Sequence, residues 1–225
     1  MTQRTYLELC QQLRVECAAS GSGPQSTINQ QGEYERLVGW VRAANEEIQS
    51  EYFNWKFLWR KHRFITSIDP ATNQRPFIYA PPDDLQVWRT KEVSINGYKV
   101  GVEEIEAIEG IDVVRGQPYH VIVLPDDSLQ LVDAPDGDYE VVAEYYCKPQ
   151  VFENDDDMSW IPSQFERLII YYAMLYYANY ENAPELKNQA LEGINRLYPK
   201  LETHQLPKRR NRGFFGEYEE VIRTY

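Results

Sequence analysis

The sequence predicts an α+β protein in which a helical bundle, formed from both chain ends, carries an inserted antiparallel β lobe and an extended C-terminal arm. Apolar residues recur at helical spacing in residues 5–52 and again in residues 163–202. The region between them contains β-branched runs separated by turns with Pro and Gly, as strands do. Neither pattern continues beyond Pro207. We therefore expect a bundle from residues 1–59 and 160–206, a β lobe from residues 60–159 and an arm from residues 207–225.

Two helices are expected before the β lobe and two after it. Thr5 and Glu8 form a capping-box pattern at the start of a helix over residues 5–19, and a second apolar stripe follows in residues 33–52. After the lobe, Ser163 and Glu166 predict another capping box for a helix that ends near Glu181. A last helix is predicted over residues 185–202, with its inward face formed by Leu186, Ala190, Ile194, Leu197 and Leu201.

The β lobe is predicted from its turns. Asn96-Gly97 lies between two apolar runs and predicts a two-residue type I′ hairpin. Turns at residues 125–128 and 135–138 join three strand-like stretches, residues 119–124, 129–132 and 139–146, which predicts an antiparallel meander. Residues 102–109 fit either a strand or a short helix, and the sequence does not decide between them.

The composition narrows the classes of function. A net charge of −12 argues against a nucleic-acid-binding surface over the body of the protein, because duplex binding depends on cations that neutralise phosphates. The 17 tyrosines suggest interfaces as well as core. Three cysteines without a C-x-x-C spacing indicate reduced structural thiols. With no apolar run long enough for a signal peptide or a membrane span, we expect a protein made and kept in a cytoplasm unless it is exported within a particle.

No motif in the sequence carries catalytic or metal chemistry. His62, His120 and His204 lie in different predicted elements without cysteine or carboxylate at ligand spacing. Residues 155–157 are three aspartates, but they lack the alternation, central glycine and final glutamate of a calcium loop. We expect them to solvate a linker and to bring negative charge near the helix that starts at Ser163. The sequence therefore predicts a protein that is not an enzyme and has no cofactor, with a hydrolase of unrecognised site as a distant alternative.

Residues 207–225 (PKRRNRGFFGEYEEVIRTY) differ in composition from everything before them. They contain five Lys and Arg against three Asp and Glu, whereas residues 1–206 contain 18 against 32. The segment is too short and polar to form a core, yet it carries several large aromatic side chains, which are typical interface anchors. It could order on a partner protein, fold back on its own domain, contact DNA phosphates, serve as a localisation tag or remain a solvated tail. The Phe214-Phe215 pair favours docking on a protein.

Short strings along the chain resemble tailed-bacteriophage head–tail adaptor proteins. In the helical parts they are residues 6–17 (YLELCQQLRVEC), 20–23, 32–33, 36–38, 40–41, 44, 47–49 and 55–58, and Ile161-Pro162 with Ala173. In the β part they are residues 116–119, 129–131, 135–139 and 144–146. The order and spacing of these strings over residues 5–205 carry the resemblance, and residues 208–225 contain no string that matches the family.

The resemblance implies a structural virion protein of the neck, synthesised in the host cytoplasm, that takes part in tail assembly and genome ejection. Such adaptors form a homo-oligomeric ring of about twelve copies beneath the portal protein, with a channel through which DNA passes. The bundle would form the ring, the β lobe would face the next tail or nozzle protein, and the C-terminal extension would dock on the portal. The portal-binding residues are then expected to be Lys208, Arg209, Arg210, Arg212, Phe214, Phe215, Tyr218 and Tyr225.

The residues themselves leave a second class of function open. A monomeric cytoplasmic interaction or regulatory module could use the same arm to recruit one partner. The two classes differ in the size of the complex that the protein forms when it is mixed with portal protein. An adaptor would form large rings, whereas a recruiting module would stay small. The acidic body fits the adaptor, since a negatively charged channel wall lets DNA pass without binding.

Overall fold

The computed structural model describes residues 3–104 and 114–207, which form four helices and ten strands. The helices are α1 (Tyr6–Glu16), α2 (Glu33–Ser50), α3 (Arg167–Tyr180) and α4 (Pro184–Gln205). The strands are β1 (Trp59–Ile65), β2 (Ile78–Tyr79), β3 (Leu85–Ile95), β4 (Tyr98–Lys99), β5 (Gly101–Glu104), β6 (Arg115–Gly116), β7 (His120–Val123), β8 (Leu129–Val132), β9 (Ala134–Pro135) and β10 (Glu140–Cys147). Helices from both chain ends and strands between them confirm the predicted α+β class.

The chain divides into a helical unit, Met1–Leu58 with Pro149–Tyr225, and a β unit, Trp59–Lys148. Residues 149–159 belong to the helical unit, although the sequence analysis placed them in the β lobe. They do so because the chain caps α1 there: the amide of Tyr6 donates to the carbonyl of Asp157 and that of Leu7 to the carbonyl of Asp155. These bonds satisfy N–H groups that a helix start otherwise leaves unpaired.

Two of the three aspartates at 155–157 make side-chain hydrogen bonds that the sequence analysis did not predict. The Asp155 carboxylate accepts hydrogen bonds from the amide and hydroxyl of Thr27 and from the hydroxyl of Ser26. These hydrogen bonds lower the pKa of Asp155, since they favour its charged form. The Asp157 carboxylate accepts the amides of Glu153 and Asn154. Both side chains thus fix loops around the start of α1.

Two buried polar residues of α2 hold the chain where it returns from the β unit. The Asn45 amide nitrogen donates to the carbonyl of Gln150 over 2.9 Å, and its oxygen accepts the hydroxyl of Ser159 over 2.6 Å. The side-chain oxygen of Gln49 accepts the amide of Gln150 over 3.0 Å. Asn45 and Gln49 are both fully buried. Their hydrogen bonds replace those that the irregular segment cannot make within a helix or sheet.

Aromatic packing reinforces the same junction. The Tyr6 ring of α1 stacks on Phe152 of the returning segment with centroids 4.6 Å apart, and its hydroxyl donates to the carbonyl of Val38 in α2 over 2.8 Å. Both rings are fully buried. One tyrosine thus joins the first helix, the second helix and the returning chain. The predicted capping box of α1 is also confirmed, since Thr5 and Glu8 exchange side-chain-to-backbone hydrogen bonds.

The second predicted capping box is wrong. Residues 163–165 form a short 3₁₀ turn, and α3 begins only at Arg167 without a side-chain cap. The Glu166 carboxylate instead accepts the backbone amide of Arg4 over 3.0 Å and pairs with its guanidinium. A tertiary ion pair therefore takes the side chain that the local pattern assigned to the cap.

Helix α3 packs against both α2 and α4 and is the centre of the helical unit. Its contact with α4 is close at Gly193, where a Cβ atom would lie 2.6 Å from three atoms of the Tyr171 ring. Of the predicted inward face of α4, Ala190 and Leu201 are buried, whereas Leu186, Ile194 and Leu197 are half-exposed. The missing side chain of Gly193 lets the two helices approach over the aromatic ring.

In its described residues, the β unit contains two four-stranded sheets and a short parallel pair. One sheet has the antiparallel order β1-β10-β3-β4, and the other has the order β2-β8-β7-β5, in which β5 and β7 are parallel. Strands β6 and β9 are also parallel. The type I′ hairpin between β3 and β4 is confirmed, since Asn96 and Gly97 have φ of 49° and 80°. Residues 102–104 of the undecided segment are part of strand β5, and residues 105–109 lie outside the described residues.

The predicted three-stranded meander is wrong. Strands β7 and β8 pair through the turn at residues 125–128 as expected, but β10 pairs with β1 and β3 in the other sheet. The chain turns away after β8 at Asp133, which has a φ of 60°, and then forms the short strand β9 that ends at Pro135. A proline lacks the N–H that a central strand would need, so the chain changes sheets at this point.

Replacing the Asn45 amide is expected to destabilise the helical unit. Asn45→Ala leaves the Gln150 carbonyl and the Ser159 hydroxyl without their partner, so we expect the free energy of unfolding to fall by about 2–4 kcal/mol. Urea titration followed by the helical circular dichroism signal would measure it. Asn195→Ala, at an exposed position of α4, is the control and should stay within about 0.5 kcal/mol of the parent protein. Equal losses in the two variants would contradict the role assigned to Asn45.

Two glycine substitutions should have opposite effects. Gly193→Ala forces a methyl group against the Tyr171 ring, and we expect a net loss of about 1–2 kcal/mol in unfolding free energy despite the better helix propensity. Gly39→Ala, in α2 with no atom within 4 Å of the added methyl, should gain about 0.5–1 kcal/mol. Thermal and urea unfolding of both variants would check the signs. A stabilised Gly193→Ala protein would mean that the helices tolerate a wider spacing.

Candidate interaction surfaces

The predicted portal-binding residues all lie beyond the described part of the chain. Lys208, Arg209, Arg210, Arg212, Phe214, Phe215, Tyr218 and Tyr225 belong to residues 208–225. What the structure does describe is the end of α4, from which the arm leaves after Leu206 and Pro207. Two surfaces of the helical unit near this helix have the properties of interaction sites.

The first surface is a groove of about 990 Å³ at the C-terminal end of α4. Four residues from outside the helix form one side of it: Lys56, Phe57, Pro162 and Phe165. The other side is the last two turns of α4, with Pro199, Lys200, Thr203, His204 and Gln205. We call these nine residues the α4 groove. Its exposed lining is mainly apolar, from the phenylalanine rings and the two prolines.

The walls of the α4 groove are held by contacts with the core. Trp55 is fully buried, its indole N–H donates to the carbonyl of Ile48 over 3.1 Å, and its ring stacks on Phe57 at 5.5 Å. Across the groove, the Lys56 ammonium donates to the carbonyl of His204 over 3.0 Å, and the His204 ring lies 5.5 Å from that of Phe165. The groove is therefore a fixed feature of the helical unit.

The charge of the α4 groove is opposite to that of the protein as a whole. Lys56 and Lys200 are exposed in its rim, and none of the nine lining residues is an aspartate or glutamate. Two acids are adjacent in sequence to lining residues: Glu202 accepts the hydroxyl of Tyr52 over 2.7 Å, and Glu166 pairs with Arg4. In a chain with a net charge of −12, a groove lined by lysines and aromatic rings favours an acidic, apolar ligand.

The second surface is an aromatic face on α3. Tyr172, Tyr176 and Tyr180 repeat every four residues, so they lie on one side of the helix. Tyr172 and Tyr176 are half-buried, and Tyr180 is 55% exposed. Burial, with the carboxylates of α2 nearby, raises the pKa of Tyr172 to about 12. The hydroxyl of Tyr176 donates to the Glu47 carboxylate.

The exposed end of this aromatic face is ordered by α2. The Arg36 guanidinium lies 4.6 Å from the centroid of the Tyr180 ring, a cation–π geometry. Trp40 contacts both Tyr177 and Tyr180, with centroids 5.7 Å apart in each pair. Large rings with fixed conformations lose little entropy when they are buried in a contact, so this face is suited to a protein partner.

The described residues were compared with the requirements of metal sites and membrane spans. Within them, no group of three or more His, Cys, Asp and Glu side chains has the arrangement of a metal site. Cys10, Cys17 and Cys147 are free and buried, and burial raises the pKa of Cys17 to about 12. No helix in residues 3–104 and 114–207 has the length and apolar character needed to cross a membrane.

Comparison with known protein families gives a match over most of the chain. The family model for the SU10 adaptor protein matches residues 4–212, which include most of both parts of the helical unit and all of the β unit. The chain belongs to the SU10 adaptor protein family. The resemblance to bacteriophage head–tail adaptors is thereby confirmed. No curated protein matches the chain.

The family match extends further into the arm than the resemblance seen in the sequence. The sequence analysis ended the resemblance at residue 205, but the family model continues to Arg212 and includes the basic cluster of residues 208–212. The aromatic and acidic residues 213–225 lie outside it. The family match therefore extends over the basic part of the arm.

The α4 groove was missed in the sequence. Its lining comes from residues 56–57, 162–165 and 199–205, which tertiary packing alone brings together. A proline in the last turns of a helix was the one available signal. Pro199 lacks the N–H that would bond to the carbonyl of Asn195, and it leaves a flat apolar ring on the helix surface.

Proposed function

We propose that this adaptor assembles into a ring beneath the portal of a tailed bacteriophage and joins the DNA-filled capsid to the tail. The observation that carries the proposal is the family match over residues 4–212, which includes the helical unit, the β unit and the basic part of the arm. A ring of about twelve copies would close around a channel through which the genome passes. The protein acts as a structural connector in the virion neck and catalyses no reaction.

Lateral contacts between neighbouring copies use the helical unit in this proposal. The aromatic face of α3 supports it, because Tyr172, Tyr176 and Tyr180 present large, partly exposed rings in a row. Leu191 of α4 adds an apolar side chain that is 40% exposed. A ring needs two complementary surfaces on each copy, and broad aromatic and aliphatic surfaces are typical of such permanent interfaces.

The arm docks on the portal protein in this proposal. It leaves the helical unit after Pro207 and carries the eight residues named above, from Lys208 to Tyr225. Phe214 and Phe215 fill apolar pockets on the portal, and the four cations at positions 208, 209, 210 and 212 pair with acidic groups there. The β unit contacts the downstream tail or nozzle protein.

The acidic character of the protein supports free passage of DNA. Residues 1–206 contain 32 acidic against 18 basic side chains, and this excess of negative charge repels a phosphate backbone. DNA passes through the channel without specific binding. In this proposal the cations of the arm bind the portal protein and not the DNA.

A charge on the aromatic face should prevent ring formation. In Tyr180→Glu the new carboxylate would have to be buried between copies, whereas in the free chain it lies next to Arg36 and remains solvated. We expect a folded protein with normal circular dichroism that no longer forms complete rings with the portal protein in negative-stain electron microscopy. Tyr98→Glu, at a 77% exposed tyrosine of the β unit, is the control and should leave rings intact. Rings lost only in the control would place the lateral contact in the β unit.

Removing the two phenylalanines of the arm should weaken portal binding more than removing two arginines. Each buried ring contributes about 1.5–3 kcal/mol, whereas an exposed ion pair contributes about 0–1 kcal/mol. Phe214→Ala with Phe215→Ala should therefore weaken binding by about 100-fold or more. Arg209→Ala with Arg210→Ala should weaken it by about thirtyfold or less, measured at physiological salt. The reverse order, together with tight and salt-sensitive binding to free duplex DNA, would assign the arm to DNA instead of the portal.

A further inference from the structure

The α4 groove lies where the arm begins, because Gln205 is one of its lining residues and the described chain ends at Pro207. Residues 208–225 follow directly and end in the segment Glu217-Tyr218-Glu219-Glu220-Val221-Ile222 and Arg223-Thr224-Tyr225. We call residues 217–225 the tail segment. It contains three carboxylates, one arginine and four large apolar or aromatic side chains.

We propose that in the free protein the α4 groove binds the tail segment of the same chain. The arm would then leave α4, turn, and return its end to the groove. This inference rests on the proposed function in one respect: Tyr218 and Tyr225, which we assign to the portal, are held by the groove until the portal protein displaces them.

The chemistry of the two surfaces is complementary. The groove offers two exposed lysines and apolar rings with no carboxylate in its lining, and the tail segment offers Glu217, Glu219 and Glu220 next to tyrosine, valine and isoleucine. The basic part of the arm is a poor occupant, because its cations would face Lys56 and Lys200. Charge therefore selects the tail segment over residues 208–212.

The connecting segment has the length that a return needs. Residues 208–216 form a nine-residue link between Pro207 and the tail segment. Such a link has a root-mean-square span of about 15–18 Å when flexible and about 30 Å when fully extended. Gly213 and Gly216 supply positions at which the chain can turn sharply. A tethered segment of this length has an effective concentration in the millimolar range, so even a weak contact is occupied.

The contact would cover apolar side chains of the arm before the adaptor assembles. Phe214, Phe215, Tyr218, Val221, Ile222 and Tyr225 together make a large apolar surface for a free chain in water. Holding the tail segment in the groove covers part of this surface before assembly. The basic cluster and the phenylalanine pair are left in a closed loop, which reduces the entropy lost when they dock on the portal.

Disulfide trapping in the full-length chain tests the proposal. Thr203→Cys in the groove would be combined with Val221→Cys or Thr224→Cys in the tail segment, without portal protein present. The three native cysteines are buried, so they do not compete. Within-chain disulfides should form about tenfold faster than in a control with Gln189→Cys, an exposed position of α4 outside the groove. Intact-mass analysis and non-reducing gels at low micromolar protein would measure both rates.

A charge swap tests the recognition itself. Lys56→Glu with Lys200→Glu should lower the trapping rate about fivefold, and Glu219→Lys with Glu220→Lys should do the same while leaving the groove unchanged. Combining the two pairs should restore trapping. Lys187→Glu, at another exposed lysine of α4, should have no effect.

Each outcome is decisive for the groove. Equal rates for the groove and control cysteines, or insensitivity to the charge swap, would overturn the proposal. Disulfides that form mainly between chains would assign the tail segment to the groove of a neighbouring copy and would also overturn it. Because no portal protein is used, a chain that traps normally but fails to bind portal would refute the proposed function alone.

Discussion

The structure of the helical unit depends on two buried amides in α2. The chain leaves this unit after Leu58 and returns at Pro149, so the helices on either side of the insertion have no local connection. Asn45 and Gln49 supply one, by binding the backbone at Gln150 and the hydroxyl of Ser159. Burying an amide side chain without hydrogen-bond partners costs free energy, and the hydrogen bonds that it does form are directional. These amides therefore fix the position of the returning segment, which apolar packing alone would allow to slide.

The sequence predicted those features that are determined locally. The capping box at Thr5 and the hairpin at Asn96-Gly97 depend on residues a few positions apart, and both are present. Where a side chain had a distant partner, local patterns failed. Glu166 pairs with Arg4 in place of a cap, and Asp155 binds Thr27 in place of solvating a linker. The change of sheet between β8 and β10 was likewise invisible, because it depends on which strands are already paired.

The α4 groove shows the same limit for a candidate site. Its lining residues are ordinary in sequence: a lysine beside a phenylalanine, prolines at turns, and a histidine near a helix end. They become a surface only when residues 56–57 and 162–165 are packed beside the last turns of α4. The net charge of the protein does not reveal the groove either. An acidic protein can have a locally basic groove wherever a few residues that are close in space include no carboxylate. By contrast, the arm was evident from composition because its distinctive residues are contiguous.

Helix α4 connects these observations. Through Gly193 it packs on α3, whose aromatic face is the proposed lateral contact, and its last turns form the groove from which the arm leaves. A shift of α4 against α3 would therefore change the two proposed contact surfaces together. Two contacts are coupled when both change the position of the same structural element. Helix α4 is such an element, because it contributes to both surfaces. Release of the tail segment from the groove and closure of the ring would then be linked through the position of α4.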